Sequence, residues 1–213
     1  MTDTDFRTHP VRGPFNALFF WLAGGLFDHL LGPHKRRLLA DLPDTVVELG
    51  SGVGANLRYL APGSRLIAVE PNPAMHRRLR RAARQRGILL DVRQVPAERT
   101  DLPDASAEVV VSSLVLCTVN DVDQVLAEVR RVLRPGGRFV FVEHVAAPDG
   151  TALRRLQRSV RAPWAWCFEG CSCERDLEAL VRSAGFAAVD IERYRVHTPF
   201  VPFNTHIAGT ATA

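Results

Sequence analysis

From residue 46 onward the chain alternates short apolar runs with longer stretches in which apolar positions recur every three or four residues. That alternation marks a parallel sheet joined by crossover helices. The runs predict strands at Val46–Leu49, Leu66–Glu70, Asp91–Val95, Glu108–Ser112 and Arg138–Glu143, and the periodic stretches predict helices at Ala55–Leu60, Pro73–Arg86 and Val122–Leu133. Leu133-Arg134-Pro135-Gly136-Gly137 closes the last of these helices, because proline stops a helix and glycine permits a tight reversal into the next strand. Beyond His144 the pattern predicts a helix around Thr151–Arg161, a loop carrying Trp and Cys, and a helix from Glu174 to Ala184 ended by Gly185. Strands follow near Ala188–Arg195 and His206–Ala211, joined through the proline-rich Thr198–Pro202. The reading is one α/β domain over residues 41–213, preceded by a helical lid segment over residues 1–40.

The segment Phe15–Phe27 is apolar and carries no charge, yet it is shorter than the roughly 20 residues needed to span a bilayer. Arg7 and Arg12 precede it, but Asp28 and His29 follow without a small-x-small cleavage site, so a helix rather than a signal peptide is expected. Such a helix serves as core, as a lid over a substrate, or as a contact with a membrane surface.

Composition adjusts this picture little. The net charge is +4, but among 27 basic residues only Lys35 is a lysine, a bias expected of a GC-rich genome. The arginines Arg77, Arg78, Arg80, Arg81, Arg84 and Arg86 read as a solvated helix face, and without interleaved aromatics to stack bases no nucleic-acid partner is expected. Cys117, Cys167, Cys171 and Cys173 form neither a secreted disulfide ladder nor the usual zinc pairs, so a reduced, cytoplasmic protein without a metal is expected, membrane-peripheral if the apolar segment docks.

The chemistry concentrates in Val46-Val47-Glu48-Leu49-Gly50-Ser51-Gly52-Val53-Gly54, a buried strand feeding a glycine-rich turn, with Glu70 at the end of the next strand. Glycines let backbone approach a ligand closely, and a carboxylate such as Glu70 accepts both hydroxyls of an adenosine ribose. Gly50, Gly52 and Ala55 also satisfy the dinucleotide pattern G-x-G-x-x-A, which keeps a nicotinamide cofactor open. Glu48 argues for a methyl donor, since a carboxylate suits the cationic amino group of a methionine moiety and suits a pyrophosphate badly.

Over about residues 40–145 the sequence resembles the class I S-adenosylmethionine-dependent methyltransferases. The resemblance rests on Glu48 to Gly54, Glu70, Ala97-Glu98 with Leu102-Pro103, and Arg131 to Gly137. It implies a Rossmann-like, seven-stranded, mostly parallel sheet with a reversed last strand. It also implies S-adenosyl-L-methionine held by Glu48, Gly50, Ser51, Gly52 and Asn56, with ribose on Glu70, adenine beside Pro71, Ala97 and Glu98, and Ser113 and Leu114 nearby. Where many relatives carry an acidic residue before Ala97, this chain has Pro96, so the backbone of Ala97 or the carboxylate of Glu98 would take over the adenine contact. A narrower likeness over 46–186 rests on Gly54-Ala55-Asn56, Glu70-Pro71-Asn72-Pro73, Leu114 to Cys117, Phe141 to Val145, and Glu169-Gly170-Cys171 before Arg175. These are similar to the alkyl-thiol methyltransferases of the methyltransferase-like seven family and to bacterial relatives labelled phosphatidylethanolamine N-methyltransferases.

The resemblance implies a small, apolar acceptor, a thiol first. An amine or hydroxyl acceptor, including a phospholipid headgroup or a natural-product intermediate, is the alternative, as is a cofactor-binding regulatory module without turnover. Displacement at a sulfonium needs alignment and a dry site, for which Phe15, Phe19, Phe20, Trp21, Trp164, Trp166 and Phe168 are candidate walls. His144, at the end of a strand whose carboxyl edge faces the crevice, is the candidate catalytic base. Cys117 could touch the donor without itself reacting, and Glu143 would either organise the site or take a proton.

Overall fold

Among the described residues seven strands form one sheet: β1 (Thr45–Leu49), β2 (Arg65–Val69), β3 (Leu89–Arg93), β4 (Ala107–Ser113), β5 (Leu133–His144), β6 (Ala188–Arg195) and β7 (Thr205–Thr212). Their order is β3-β2-β1-β4-β5-β7-β6, and β7 alone runs antiparallel to its neighbours, so the expected reversed last strand is present. This is a computed structural model, and it describes residues 12–168 and 170–213; the expectations that fall on Arg7, on the start of the lid segment and on Glu169 lie outside the described residues.

The chain moves outward one way from β1 through β2 to β3, then returns to place β4 on the other side of β1. That reversal opens a crevice at the carboxyl ends of β1 and β4, where ligands of open α/β sheets bind. Both faces of the sheet are covered. Val46, Leu66 and Val109 join Leu57 and Leu79 in one apolar cluster, while their chain neighbours Val47 and Val110 point to the other side, among Leu126, Val129 and Leu177. The period of two along each strand is what makes the strands apolar on both faces.

The crossover helix α2 (Pro73–Arg86) begins at Asn72, whose side chain accepts from the Ala74 amide, and ends at Gly87 with φ 68°. These are the preferred start and stop chemistries of a helix. Its arginines lie outward, five of the six being exposed and Arg78 half-buried. Helix α3 (Val122–Val132) is capped by Asp121 and runs directly into β5.

Several elements differ from expectation. Ala55–Tyr59 is a 3-10 helix rather than an α-helix, entered from Gly54 in the left-handed region. Helix α4 (Ala152–Cys167) continues past Arg161 through Pro163, so the stretch with Trp164 and Trp166 is helical. Strand β3 begins two residues earlier than expected, and the last helix, α5 (Leu177–Ser183), is shorter.

Helix α1 (Arg12–Leu38) is longer than the apolar segment suggested. Its carboxyl half anchors the segment: Leu31 is buried with Val142, Val196 and Ala208. Its amino half carries Phe15, Leu18, Leu22 and Leu26 in exposed positions, while Asn16 and Ala17 are buried. The helix is therefore apolar on both its covered and its uncovered side. No described helix is long and apolar enough to cross a membrane.

Candidate active site

The turn after β1 owes its shape to glycine. Gly50 (φ 56°) and Gly52 (φ 55°) lie in the left-handed region, and a side chain at Gly50 would place its first carbon 2.5 Å from Val115 Cγ2. Only glycine therefore lets this turn lie flat over the strand ends.

Glu48, buried at the end of β1, is held by a relay that starts outside the sheet. Lys35 Nζ on α1 donates to Asn56 Oδ1 at 2.9 Å, and Asn56 Nδ2 donates to Glu48 Oε1 at 2.6 Å. Burial pulls the Lys35 ammonium down to about 8 against the attraction of Glu48, and burial raises the Glu48 carboxyl above its ordinary range. The second oxygen, Glu48 Oε2, is buried without a hydrogen-bond partner among the described residues, as is Ser113 Oγ. Two unsatisfied polar atoms in one crevice are expensive unless a ligand meets them.

Glu70, just past β2, accepts from the Gly52 amide at 2.8 Å through Oε2 and from the Asn72 amide at 2.8 Å through Oε1. These bonds tie the carboxylate to both the glycine turn and the start of α2. Across the crevice Leu114 sits at φ 61°, a position costly for leucine that Glu143 holds in place. Its carboxylate accepts from Ser112 Oγ at 2.6 Å, from the Val115 amide at 3.0 Å and from the Leu116 amide at 3.1 Å. Burial nevertheless pushes the Glu143 carboxyl up to about 7. Its hydrogen bonds tie the loop after β4 to the end of β5.

Around these groups lies a cavity of about 1070 Å³, counting its open mouth, lined by Glu48, Gly50, Ser51, Gly52, Asn56, Glu70, Pro71, Ala97, Ser113 and Leu114. Each was a candidate in the sequence. Glu98 was too, but it is absent from the walls: its Oε1 accepts from the Asn120 amide at 3.0 Å, ahead of α3. At the expected adenine position Ala97 remains, and Glu98 braces the neighbouring loop. Sequence reading passed over Lys35, although a lone lysine among arginines was a visible signal.

A second, apolar cavity of about 500 Å³ adjoins the first and shares Phe20, Phe27, Leu114 and Thr118 with it. Phe19, Trp164 and Phe168 line it as expected, whereas Phe15, Trp21 and Trp166 are exposed. His144 is fully buried in its wall rather than beside the first cavity. His144 Nε2 lies 2.8 Å from the Pro202 carbonyl oxygen, and a carbonyl only accepts, so Nε2 carries the hydrogen and Nδ1 of the uncharged ring carries a lone pair. That lone pair faces Cys171 Sγ at 3.6 Å. The two sulfurs, Cys171 Sγ and Cys117 Sγ, lie 3.2 Å apart, and Trp164 Nε1–H donates to Cys171 Sγ at 3.4 Å. The hydrogen bond between the two sulfurs raises the Cys117 thiol and lowers that of Cys171, which His144 and Trp164 assist. Cys171 was not a candidate residue; its partner in the chain stands 54 positions away, beyond any local spacing.

The first cavity fits S-adenosylmethionine: the unpartnered Glu48 Oε2 suits its ammonium, and the Glu70 carboxylate lies where a ribose would reach it. Comparison with known proteins agrees. A family profile described as a methyltransferase domain matches residues 47–141. Human thiol S-methyltransferase TMT1B is 37% identical over 78% of this chain and 69% of its own length. Human thiol S-methyltransferase TMT1A is 31% identical over 87% of this chain and 81% of its own. Among solved structures, the [4+2]-cyclase SpnF shares the fold at a TM-score of 0.69 and 18% identity, over 87% of this chain and 80% of that one. The chain is an S-adenosylmethionine-dependent methyltransferase and belongs to the family that includes TMT1A and TMT1B.

Proposed function

We propose that the enzyme methylates a small apolar thiol bound in the second cavity. The observation that carries this reading is the composition of that cavity's wall. Among the described residues it holds aromatic and aliphatic side chains, Thr118, two cysteines and His144, but no carboxylate to receive the cation of an amine or a headgroup. The names of the relatives TMT1A and TMT1B support the same acceptor class.

The donor supplies an electrophilic methyl on a sulfonium. The chain's own residues do the rest. Glu48, braced by Asn56 and Lys35, meets the donor's ammonium, and Glu70 meets its ribose. Leu114 and Thr118, shared by both cavities, separate donor from acceptor. The apolar wall excludes water, which would stabilise separated charges more than the transition state. His144 acts from that wall through its Nδ1 lone pair. The test is incubation with labelled donor and a panel of alkyl thiols, amines and phenols. Label is expected on a thiol; label on an amine or phospholipid, with none on any thiol, overturns the reading.

The amino half of α1 is proposed both to close the acceptor cavity, through Phe19, Phe20 and Phe27, and to rest on a membrane surface. The exposed Phe15, Leu18, Leu22 and Leu26 recur every three or four residues and so share one face. Sedimentation with phospholipid vesicles is expected for the wild type and not for a variant with Leu18, Leu22 and Leu26 changed to Ser. Equal recovery of both in the supernatant would exclude the contact.

A further inference from the structure

We propose that Cys117, Cys171 and His144 form a zinc site whose open fourth position faces the acceptor cavity and binds the acceptor thiol as a thiolate. The proposal rests on the thiol reading above and deepens it. Sγ of Cys117, Sγ of Cys171 and a ring nitrogen of His144 all lie within 4.8 Å of one another, and all three residues are buried.

The donor chemistry selects the ion. Two sulfurs and an imidazole nitrogen form a soft set, and among the described residues no carboxylate lines the cavity that would favour magnesium or calcium. Three protein ligands and one open position are the pattern of catalytic zinc. Bond lengths of about 2.3 Å to sulfur and 2.0 Å to nitrogen in a tetrahedral site place sulfur and nitrogen ~3.6 Å apart and two sulfurs ~3.8 Å apart. The observed Cys171 to His144 separation is 3.6 Å, and the two sulfurs, at 3.2 Å, need part by only about half an ångström.

The surroundings are those of a ligand set. His144 donates Nε2–H to the Pro202 carbonyl, which fixes the ring with its Nδ1 lone pair toward the sulfurs. A metal-binding histidine almost always spends its other N–H in this way. Trp164 Nε1–H points at Cys171 Sγ, a hydrogen bond that suits a bound thiolate. Two thiolates and Zn²⁺ sum to zero charge, so the filled site is compatible with apolar walls in which a lone thiolate pair would not be.

All three residues line the second cavity, so the fourth position opens onto the acceptor rather than into packed core. An alkyl thiol entering there forms a sulfur–zinc bond as its S–H bond breaks, and the proton leaves through the cavity's open side to bulk solvent; nothing is oxidised or reduced. His144 then serves as ligand, and the metal replaces a general base in supplying the thiolate.

The test measures metal independently of turnover. Wild-type protein, reconstituted with zinc under reducing conditions and dialysed, is expected to hold about one zinc per chain. Cys117→Ser and Cys171→Ser should each retain at least about tenfold less, whereas Cys167→Ser, at an exposed cysteine, should retain as much as wild type. Cobalt in place of zinc should give a sulfur-to-cobalt charge-transfer absorption that Cys117→Ser weakens. Wild type without zinc, its thiols free or Cys117 and Cys171 joined as a disulfide, overturns the proposal. Zinc retained undiminished in Cys117→Ser and Cys171→Ser does so equally. If the metal is present while methyl transfer goes only to amines, the thiol reading fails and the metal site stands.

Discussion

Asn56 donates its amide hydrogen to Glu48 Oε1 at 2.6 Å, while Oε2 of the same carboxylate is buried without a hydrogen-bond partner among the described residues. The charge at the end of β1 is therefore held for a ligand. Glu48→Gln keeps the oxygen that Asn56 needs but removes the charge that meets an ammonium. Donor affinity should fall about tenfold or more, the loss of one charge-assisted bond, with thermal stability retained. Titration calorimetry with S-adenosylmethionine checks this, and unchanged affinity would remove Glu48 from the site.

Glu70→Ala should weaken donor binding by a similar factor of about ten or more, through loss of the bonds to ribose. Because the Gly52 and Asn72 amides also lose their acceptor, a modest drop in melting temperature should accompany it. Adenosine alone, which lacks the methionine moiety, should lose affinity in Glu70→Ala and keep it in Glu48→Gln. Equal effects of adenosine on both variants would merge the two roles.

Much of this site could be read from the chain because its parts are local. Glu48, Gly50 and Gly52 belong to one strand and turn, and Glu70 follows the next strand, so a single βαβ pattern places them. The parts that could not be read depend on distant segments. Lys35 reaches Asn56 from α1 across 21 residues, and Cys117 meets Cys171 across 54. Glu98 stands where a local reading places an adenine contact, and the reach of its Oε1 to the amides of Asn120 and Asp121, over twenty residues on, was likewise invisible in the chain. The extension of α4 through Pro163 was hidden because proline within an otherwise amphipathic stretch reads as a stop.

Gly50→Ala tests the turn. An alanine there must hold φ near 56° and meet Val115 Cγ2 at 2.5 Å, so either the turn lifts or the loop after β4 moves. Loss of about 1–3 kcal/mol of stability is expected from the backbone strain alone. Donor binding should fall below detection in calorimetry. A variant that binds normally would show that the turn need not lie so close.

The two cavities can be separated by the phenylalanines of α1. Phe19 lines only the acceptor cavity, whereas Phe20 lines both. Phe19→Ala should raise the KM for acceptor with donor affinity unchanged, and Phe20→Ala should weaken both. Since Phe20, Gly24 and Phe27 border the donor cavity, removal of residues 1–31 should reduce donor affinity as well as turnover. A truncated protein with full activity on its best acceptor would exclude the lid role.

Glu143 connects the site to stability. Its carboxyl titrates at about 7 in the folded protein against an ordinary 4.5, because burial opposes the charge more than its hydrogen bonds favour it. Between those values the folded protein keeps a proton that the unfolded chain has released, so stability must fall as pH rises through this window and level off above about 7. Glu143→Gln removes the titration while preserving the loop: its carbonyl oxygen can accept from Val115 and Leu116, and the Ser112 hydroxyl can turn to accept from its amide. Below about pH 4.5 the variant and wild type should be equally stable, and above about pH 7 the variant should be the more stable, by at most on the order of 3 kcal/mol. Urea midpoints of both proteins at about pH 5 and about pH 8 decide the matter. Should the wild type instead gain on the variant as pH rises, the hydrogen bonds to Glu143 outweigh its burial, and the carboxylate is held ionised as a permanent anchor of the loop.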